Sequence, residues 1–113
     1  METVVAVKIE TILRRGVLST RPRDYYDVYI LSLTCSLDSG VLRQSIQATA
    51  ARRQSEALVP QWQEILEALH ASAIQRQYWN GYRSKFPYAR AIGFVDVIVT
   101  LRKLLERVFV DSA

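Results

Sequence analysis

Within the first 27 residues the chain sets out the side chains of a phosphate-handling group. Lys8 and Arg15 stand seven residues apart, Arg21 and Arg23 follow a short break, and Asp24 and Asp27 come three residues apart. On a helix, spacings of three, four or seven place side chains on one face. The two cations of the first helix therefore point the same way, and so do the two carboxylates of the second. If the helices form a hairpin, Lys8, Arg15, Arg21, Asp24 and Asp27 can converge on one polar cluster. Ammonium and guanidinium groups hold phosphates through charge-assisted hydrogen bonds, and a carboxylate beside them orients a nucleophile or balances the charge. The same residues also have plainer explanations. Asp24 favours the positive end of a helix, Asp27 pairs with Arg23 four residues before it, and Lys8 is solvated.

A second group lies between Glu67 and Asp96, a stretch without an acidic residue, where Arg76, Arg83, Lys85 and Arg90 alternate with Tyr78, Trp79, Tyr82, Phe86 and Tyr88. Interleaved basic and aromatic residues suit RNA, whose bases stack and whose phosphates pair with Arg. In a helix, however, Tyr78, Tyr82 and Phe86 fall at i, i+4 and i+8, the spacing of a core stripe. The RNA reading keeps only the face carrying Arg76 and Arg83. His70 has no second His or Cys at ligand spacing, so no metal site is expected. Cys35 has no partner for an internal disulfide, which fits a reducing, cytoplasmic setting rather than secretion.

The elements that must position these residues are helical. The 113 residues, half of them hydrophobic and 23% charged, make one globular domain, and four Gly with three Pro are too few for a turn-dense β architecture. Val5, Ile9, Ile12 and Leu13 give a first helix over 3–15, closed at Gly16 by a left-handed cap. Ser19 or Thr20 caps a second helix, with Pro22 and Asp24 in its first turn, running to Thr34. Tyr25, Val28, Tyr29, Leu31 and Leu33 are apolar nearly all round it, which predicts the most buried helix of the chain.

Asp38 caps a third helix over 39–53, with Leu42, Ile46 and Ala50 inward. A fourth begins near Pro60 with Trp62, Ile65, Leu66 and Leu69 on one face, and continues or restarts through Ile74 to about Phe86, where Pro87 stops it. The last, over 94–109, carries Val95, Ile98, Leu101, Leu105 and Val108. The expectation is an all-α bundle of five or six helices, a single helical domain over 1–113. Glu2, Lys8, Glu10, Arg14 and Arg15 interrupt the N-terminal apolar run, so neither a signal peptide nor a membrane span is expected. Net charge is +4, and twelve Arg stand against three Lys. That balance suits a polyanionic partner.

The order Ala6-Val-Lys8, with Arg15 and Gly16 seven and eight residues after the Lys, then Arg21-Pro-Arg-Asp24-Tyr-Tyr-Asp27, resembles the AbiEii/AbiGii family of abortive-infection toxins. Trp79-Asn-Gly-Tyr82-Arg-Ser-Lys-Phe-Pro87-Tyr-Ala89 and Phe94-Val-Asp96-Val are similar to the helical tail of that family. These are nucleotidyltransferases of toxin–antitoxin systems, which move a nucleotide from a ribonucleoside triphosphate to an acceptor, in some members the 3′ end of tRNA. The resemblance implies that Lys8 contacts the triphosphate, that Asp24 is required for activity and that Arg21 is a phosphate ligand, with Arg15 beside them and Asp27 supporting. By the same resemblance Lys8 would neutralise charge on the departing pyrophosphate.

One part of the pattern is missing. A transferase of this kind holds Mg²⁺ on carboxylates after a Gly-Ser turn, yet the sequence contains neither Gly-Ser-x-x-x-Asp nor Asp-x-Asp. The chain is therefore expected to correspond to the C-terminal helical half, from a truncated or split gene, and to be inactive alone, with no metal or cofactor of its own. The partners to consider are a nucleotide, tRNA, the missing half, an antitoxin, or a second copy covering bared apolar surface. The rival is a non-catalytic module binding tRNA or a protein partner.

Overall fold

The computed structural model describes residues 1–110. Among them the ordered elements are all helical. They are α1 (Glu2–Arg15), α2 (Pro22–Thr34), α3 (Ser39–Arg52), α4 (Trp62–Ala71), α5 (Ala73–Lys85) and α6 (Phe94–Phe109), with short 3-10 turns over Gly16–Leu18, Glu56–Gln61 and Pro87–Ala89. The all-α expectation holds, and six is the number of α-helices.

Local chemistry explains the boundaries. Gly16 closes α1 at φ +52° and ψ −137°, which is not the left-handed helical cap expected but a positive-φ conformation that a residue with a Cβ rarely adopts. Asp38 caps α3, its carboxylate accepting the Val41 N–H at 2.9 Å. The stretch after Pro60 is two helices rather than one. Ser72 breaks it, and its hydroxyl accepts the Gln75 N–H at 3.2 Å to restart the chain as α5. Pro87 lies just past the end of α5, as expected. The α2 cap differs from expectation: Arg21 holds the N-cap position, and the Ser19 hydroxyl, two residues before it, accepts the Arg21 N–H at 3.2 Å. The Asp96 carboxylate reaches back to the Gly93 N–H at 2.8 Å and fixes the start of α6.

The core is built on α1 and α6. α1 buries Val5, Ala6, Ile9, Ile12 and Leu13 against α3 and α2. α6 buries Phe94, Val97, Ile98, Leu101, Leu104, Leu105 and Val108 and underlies α2, α3 and α4. Val95, expected inside, points out. α2 is not the most buried helix: only Tyr25 and Val28 of its apolar residues are enclosed, and Leu33 is 61% exposed. Apolar residues all round a helix do not say which sides are packed, and at the far end of α2 the Leu33 side is left open. That end borders an open groove of about 270 Å³ formed with Thr100, Lys103, Leu104 and Arg107. No helix among the described residues is long and apolar enough to cross a membrane.

The core stripe of α5 also differs from expectation. Tyr78 is exposed, and the inward line is Gln75, Trp79 and Tyr82, with Phe86 half-buried at its end. The two lines share Tyr82 and Phe86, and a polar residue opens the true one.

Candidate nucleotide-binding site

α1 and α2 lie side by side, and their polar edges meet at Lys8. The Lys8 ammonium stands 2.8 Å from Asp27 Oδ2 and 3.8 Å from Asp24 Oδ1. Two arginines close the group from the solvent side. Arg21 Nε is 3.5 Å from Asp24 Oδ2, and Arg23 Nε is 3.8 Å from Asp27 Oδ2. Burial is graded across the cluster, from an Asp24 side chain 7% exposed, through Lys8 at 25%, to Arg23 at 79%. Three cations face two carboxylates, so the cluster carries one net positive charge, and its outer members, Arg21 and Arg23, are exposed to solvent.

The Lys8–Asp27 contact removes the solvated-lysine explanation. The pairing of Arg23 with Asp27 and the place of Asp24 in the first turn of α2 are both present, alongside the convergence rather than instead of it. Four of the five residues expected to converge do so: Lys8, Arg21, Asp24 and Asp27. Arg15 does not join the ion pairs; it lies exposed two turns farther along α1.

A buried amide that the charge pattern did not single out holds the segment joining the two helices. Gln75 is 1% exposed and donates to the carbonyls of Val17 at 2.9 Å and Ser19 at 2.8 Å. Its own carbonyl accepts the Tyr25 hydroxyl at 2.8 Å. Those bonds fix the 17–19 backbone immediately before Arg21 and the first turn of α2, and so fix where Arg21 and Asp24 can reach. Burial, with the Asp24 charge adding to it, pushes the Tyr25 phenol above its ordinary range and keeps it a neutral donor.

On the opposite side of α1 a second buried acid anchors the helix. Glu10, 1% exposed, accepts from Arg53 at 2.6 Å, Ser55 at 2.8 Å and Arg14 at 3.0 Å. Burial raises its pKa, but the hydrogen bonds from Ser55, Arg53 and Arg14 outweigh that, and the carboxyl sits below its usual value. The positive φ of 58° at Gln54 turns the chain between Arg53 and Ser55, which both reach Glu10. The signal for Glu10 was its place beside Ile9 and within the arc that runs to Leu13.

A group of aromatic rings adjoins the cluster. Tyr26, between Asp24 and Asp27 in sequence, packs 4.8 Å from Tyr88 and 6.2 Å from Tyr82, centroid to centroid. The hydroxyls of Tyr82 and Tyr88 are 2.7 Å apart. Burial raises the Tyr82 pKa most; the bond to Tyr88 and the Asp27 charge add to it, while Arg23 opposes it. Tyr26, next to Asp27 on α2, thus links these rings to the helix that carries the carboxylates.

The family model described as nucleotidyl transferase AbiEii toxin, type IV toxin–antitoxin system, matches residues 1–105. The chain belongs to this family. The match takes in every residue of the cluster. AbiEii members are toxins of type IV toxin–antitoxin systems, a class that works with an antitoxin partner. Comparison with curated proteins and with solved structures finds no match.

The donor set speaks to the Mg²⁺ that nucleotidyl transfer calls for. Asp24 and Asp27 are each engaged by two cations, and the described residues contain no group of three or more His, Cys, Asp or Glu able to hold a metal. These residues do not fit a divalent-cation site.

Proposed function

We propose that this chain is the nucleotide-contacting helical part of a nucleotidyl transferase toxin, and that Lys8 is its triphosphate ligand. One observation carries the reading: the Lys8 ammonium, three-quarters buried, is fixed between Asp24 and Asp27 beneath Arg21 and Arg23, whose guanidiniums are exposed. Pre-set cations at the place where negative charge develops are the main means by which an enzyme assists phosphoryl-type transfer.

On this reading an incoming triphosphate takes the place of Asp27 at Lys8 and draws Arg21 toward its outer phosphates, with Arg15 approaching along α1. Asp24 stays behind Lys8 and Arg21 and keeps both pointed at the phosphates. In the transfer, a hydroxyl of an RNA acceptor attacks the α-phosphorus. The bond to the bridging oxygen breaks, pyrophosphate leaves with its charge partly balanced by Lys8, and the hydroxyl proton passes to a base. That base, and the carboxylates that hold metal, come from outside this chain, so the chain alone is inactive. Cytoplasm is the setting that supplies both nucleotide and tRNA.

Titration calorimetry with a ribonucleoside triphosphate tests the reading. Lys8→Ala should weaken binding at least tenfold while circular dichroism stays unchanged, and Asp24→Asn should weaken it less. Equal affinity in wild type and Lys8→Ala would overturn the phosphate role. Incorporation of labelled nucleotide into tRNA by the chain alone would overturn its inactivity.

A further inference from the structure

The aromatic rings beside the cluster are built in an unusual way for a core. Tyr82 is buried and Tyr26 and Phe86 are half-buried, but Tyr88, which touches all three, is 53% exposed. Tyr26 supports it at a 60° tilt, Phe86 lies 5.5 Å away, and the Tyr82 hydroxyl ties down its own hydroxyl at 2.7 Å. The Pro87–Ala89 turn carries Tyr88, and Ala89 is fully buried beneath it. Loop aromatics on a surface are ordinarily free to turn away; this ring is held from several sides while more than half of it meets solvent.

Its position is the second observation. Lys8 bonds Asp27, Tyr26 directly precedes Asp27 on α2, and the Tyr26 ring lies 4.8 Å from Tyr88 and 6.2 Å from Tyr82, whose hydroxyl bonds Tyr88. A fixed, open ring thus stands next to the cations that would take phosphate. A nucleotide presents that pair of needs: anionic phosphates at one end and an apolar face with π character at the other. Base–aromatic stacking is tolerant of base identity because every base has such a face.

We propose that Tyr88, backed by Tyr26 and Phe86, is the surface on which the nucleobase of the bound ribonucleoside triphosphate stacks. The proposal rests on Lys8 being the phosphate ligand. Tyr82 then acts as a positioning residue, holding the Tyr88 ring through its hydroxyl, and the site accepts more than one base.

The test compares ATP and UTP with inorganic tripolyphosphate, which carries the phosphates without a base, by titration against the full chain. Tyr88 is exposed enough for Tyr88→Ala to fold. That variant should bind ATP and UTP about tenfold more weakly and tripolyphosphate as wild type does. Tyr88→Phe keeps the ring face but loses the bond to Tyr82, so its nucleotide affinity should fall between those of Tyr88→Ala and wild type, and Lys8→Ala should weaken all three ligands. If Lys8→Ala weakens binding while Tyr88→Ala leaves ATP and UTP unchanged, the stacking face is wrong and the phosphate site stands. Equal losses on tripolyphosphate and nucleotides in Tyr88→Ala would make the ring a prop for the cations and overturn the proposal. A loss confined to a short single-stranded oligoribonucleotide would assign the ring to the acceptor and overturn it too. No effect of Lys8→Ala on any ligand, or no binding by wild type, would remove the phosphate reading and the stacking face together.

Discussion

The Lys8 ammonium lies 2.8 Å from the Asp27 carboxylate, and this contact joins α1 to α2 at the mouth of the candidate site. Lys8 is only a quarter exposed, so the ion pair is partly sheltered, yet Arg23 reaches the same carboxylate from solvent. A pair of this kind adds little to folding, because screening and the ordering of a long side chain offset most of the attraction. Its larger consequence is geometric: the ammonium is confined to one place before any ligand arrives.

That balance can be measured. In a double-mutant cycle on urea unfolding, Lys8→Ala and Asp27→Asn should couple by no more than about 1 kcal/mol. Nucleotide affinity should respond in opposite directions. Lys8→Ala weakens it, and Asp27→Asn keeps it or strengthens it, since the phosphate no longer displaces a carboxylate. A coupling of several kcal/mol, with nucleotide affinity indifferent to both, would mark the pair as structural only.

Gln75 is the residue whose loss should cost most for its size outside the apolar core. Gln75→Leu leaves the buried Tyr25 hydroxyl and the Val17 and Ser19 carbonyls without partners. Unsatisfied buried groups cost about 1–3 kcal/mol each, partly recovered where water can enter, so a loss of about 3 kcal/mol is expected in denaturant unfolding. Because the 17–19 segment precedes Arg21, nucleotide binding should weaken as well in the fraction that remains folded. A change below about 0.5 kcal/mol would show that the segment does not depend on this amide.

What the sequence made legible follows from how one-sided each helix is. α1, α3 and α6 have a single apolar stripe with charges opposite it, and Val5, Ile9, Leu42, Ile46, Leu101 and Leu105 could be placed inside on that basis. α2 is apolar all round, so its pattern places Leu33 inside along with Val28, which the fold does bury; the inward line of α5 opens on a polar residue, so periodicity points to Tyr78 where the fold buries Gln75 and Trp79. The site was half-legible. Spacing put Lys8 on one face of α1 and Asp24 and Asp27 on one face of α2, but no spacing within a helix gives the rotation of one helix against another. The family pattern pointed to the convergence that the structure shows. Glu10 and Gln75 gave no motif because a single polar residue within an apolar arc looks like an interruption until its partners, Arg53 and Ser55 or Tyr25, are placed beside it.

The corrected burial of α2 predicts a contrast between two of its residues. Val28 is fully enclosed, and Val28→Ala should cost about 1–2 kcal/mol through lost contacts and a small cavity. Leu33→Ala removes a larger side chain from an exposed position and should change stability by less than about 0.5 kcal/mol. A thermal or urea unfolding series separates the two, and comparable losses would mean that the far end of α2 is covered in solution.

The Glu10 carboxyl should set part of the acid limit of the fold. Its pKa is below the ordinary value of 4.5 in the folded state, despite burial, because Ser55, Arg53 and Arg14 donate to the ionised form. The unfolded chain then binds more protons than the folded chain over this range, so stability rises with pH there. The contribution is present in full above about pH 4.5 and is lost as the pH falls through the lower folded value. Glu2, whose carboxylate accepts the Asp38 N–H at 2.7 Å, is lowered in the same sense but lies on the surface, so its share is small. Glu10→Gln keeps the shape and removes the charge. At neutral pH it should cost about 2 kcal/mol, since bonds from Arg53 and Arg14 to a carboxylate become bonds to a neutral amide. Above about pH 4.5 the two unfolding curves should keep a constant separation; below it the variant should lose less stability than wild type, and the curves should draw together as the pH falls through the lower folded value. Parallel curves in that lower range would show that Glu10 does not change its proton occupancy on folding.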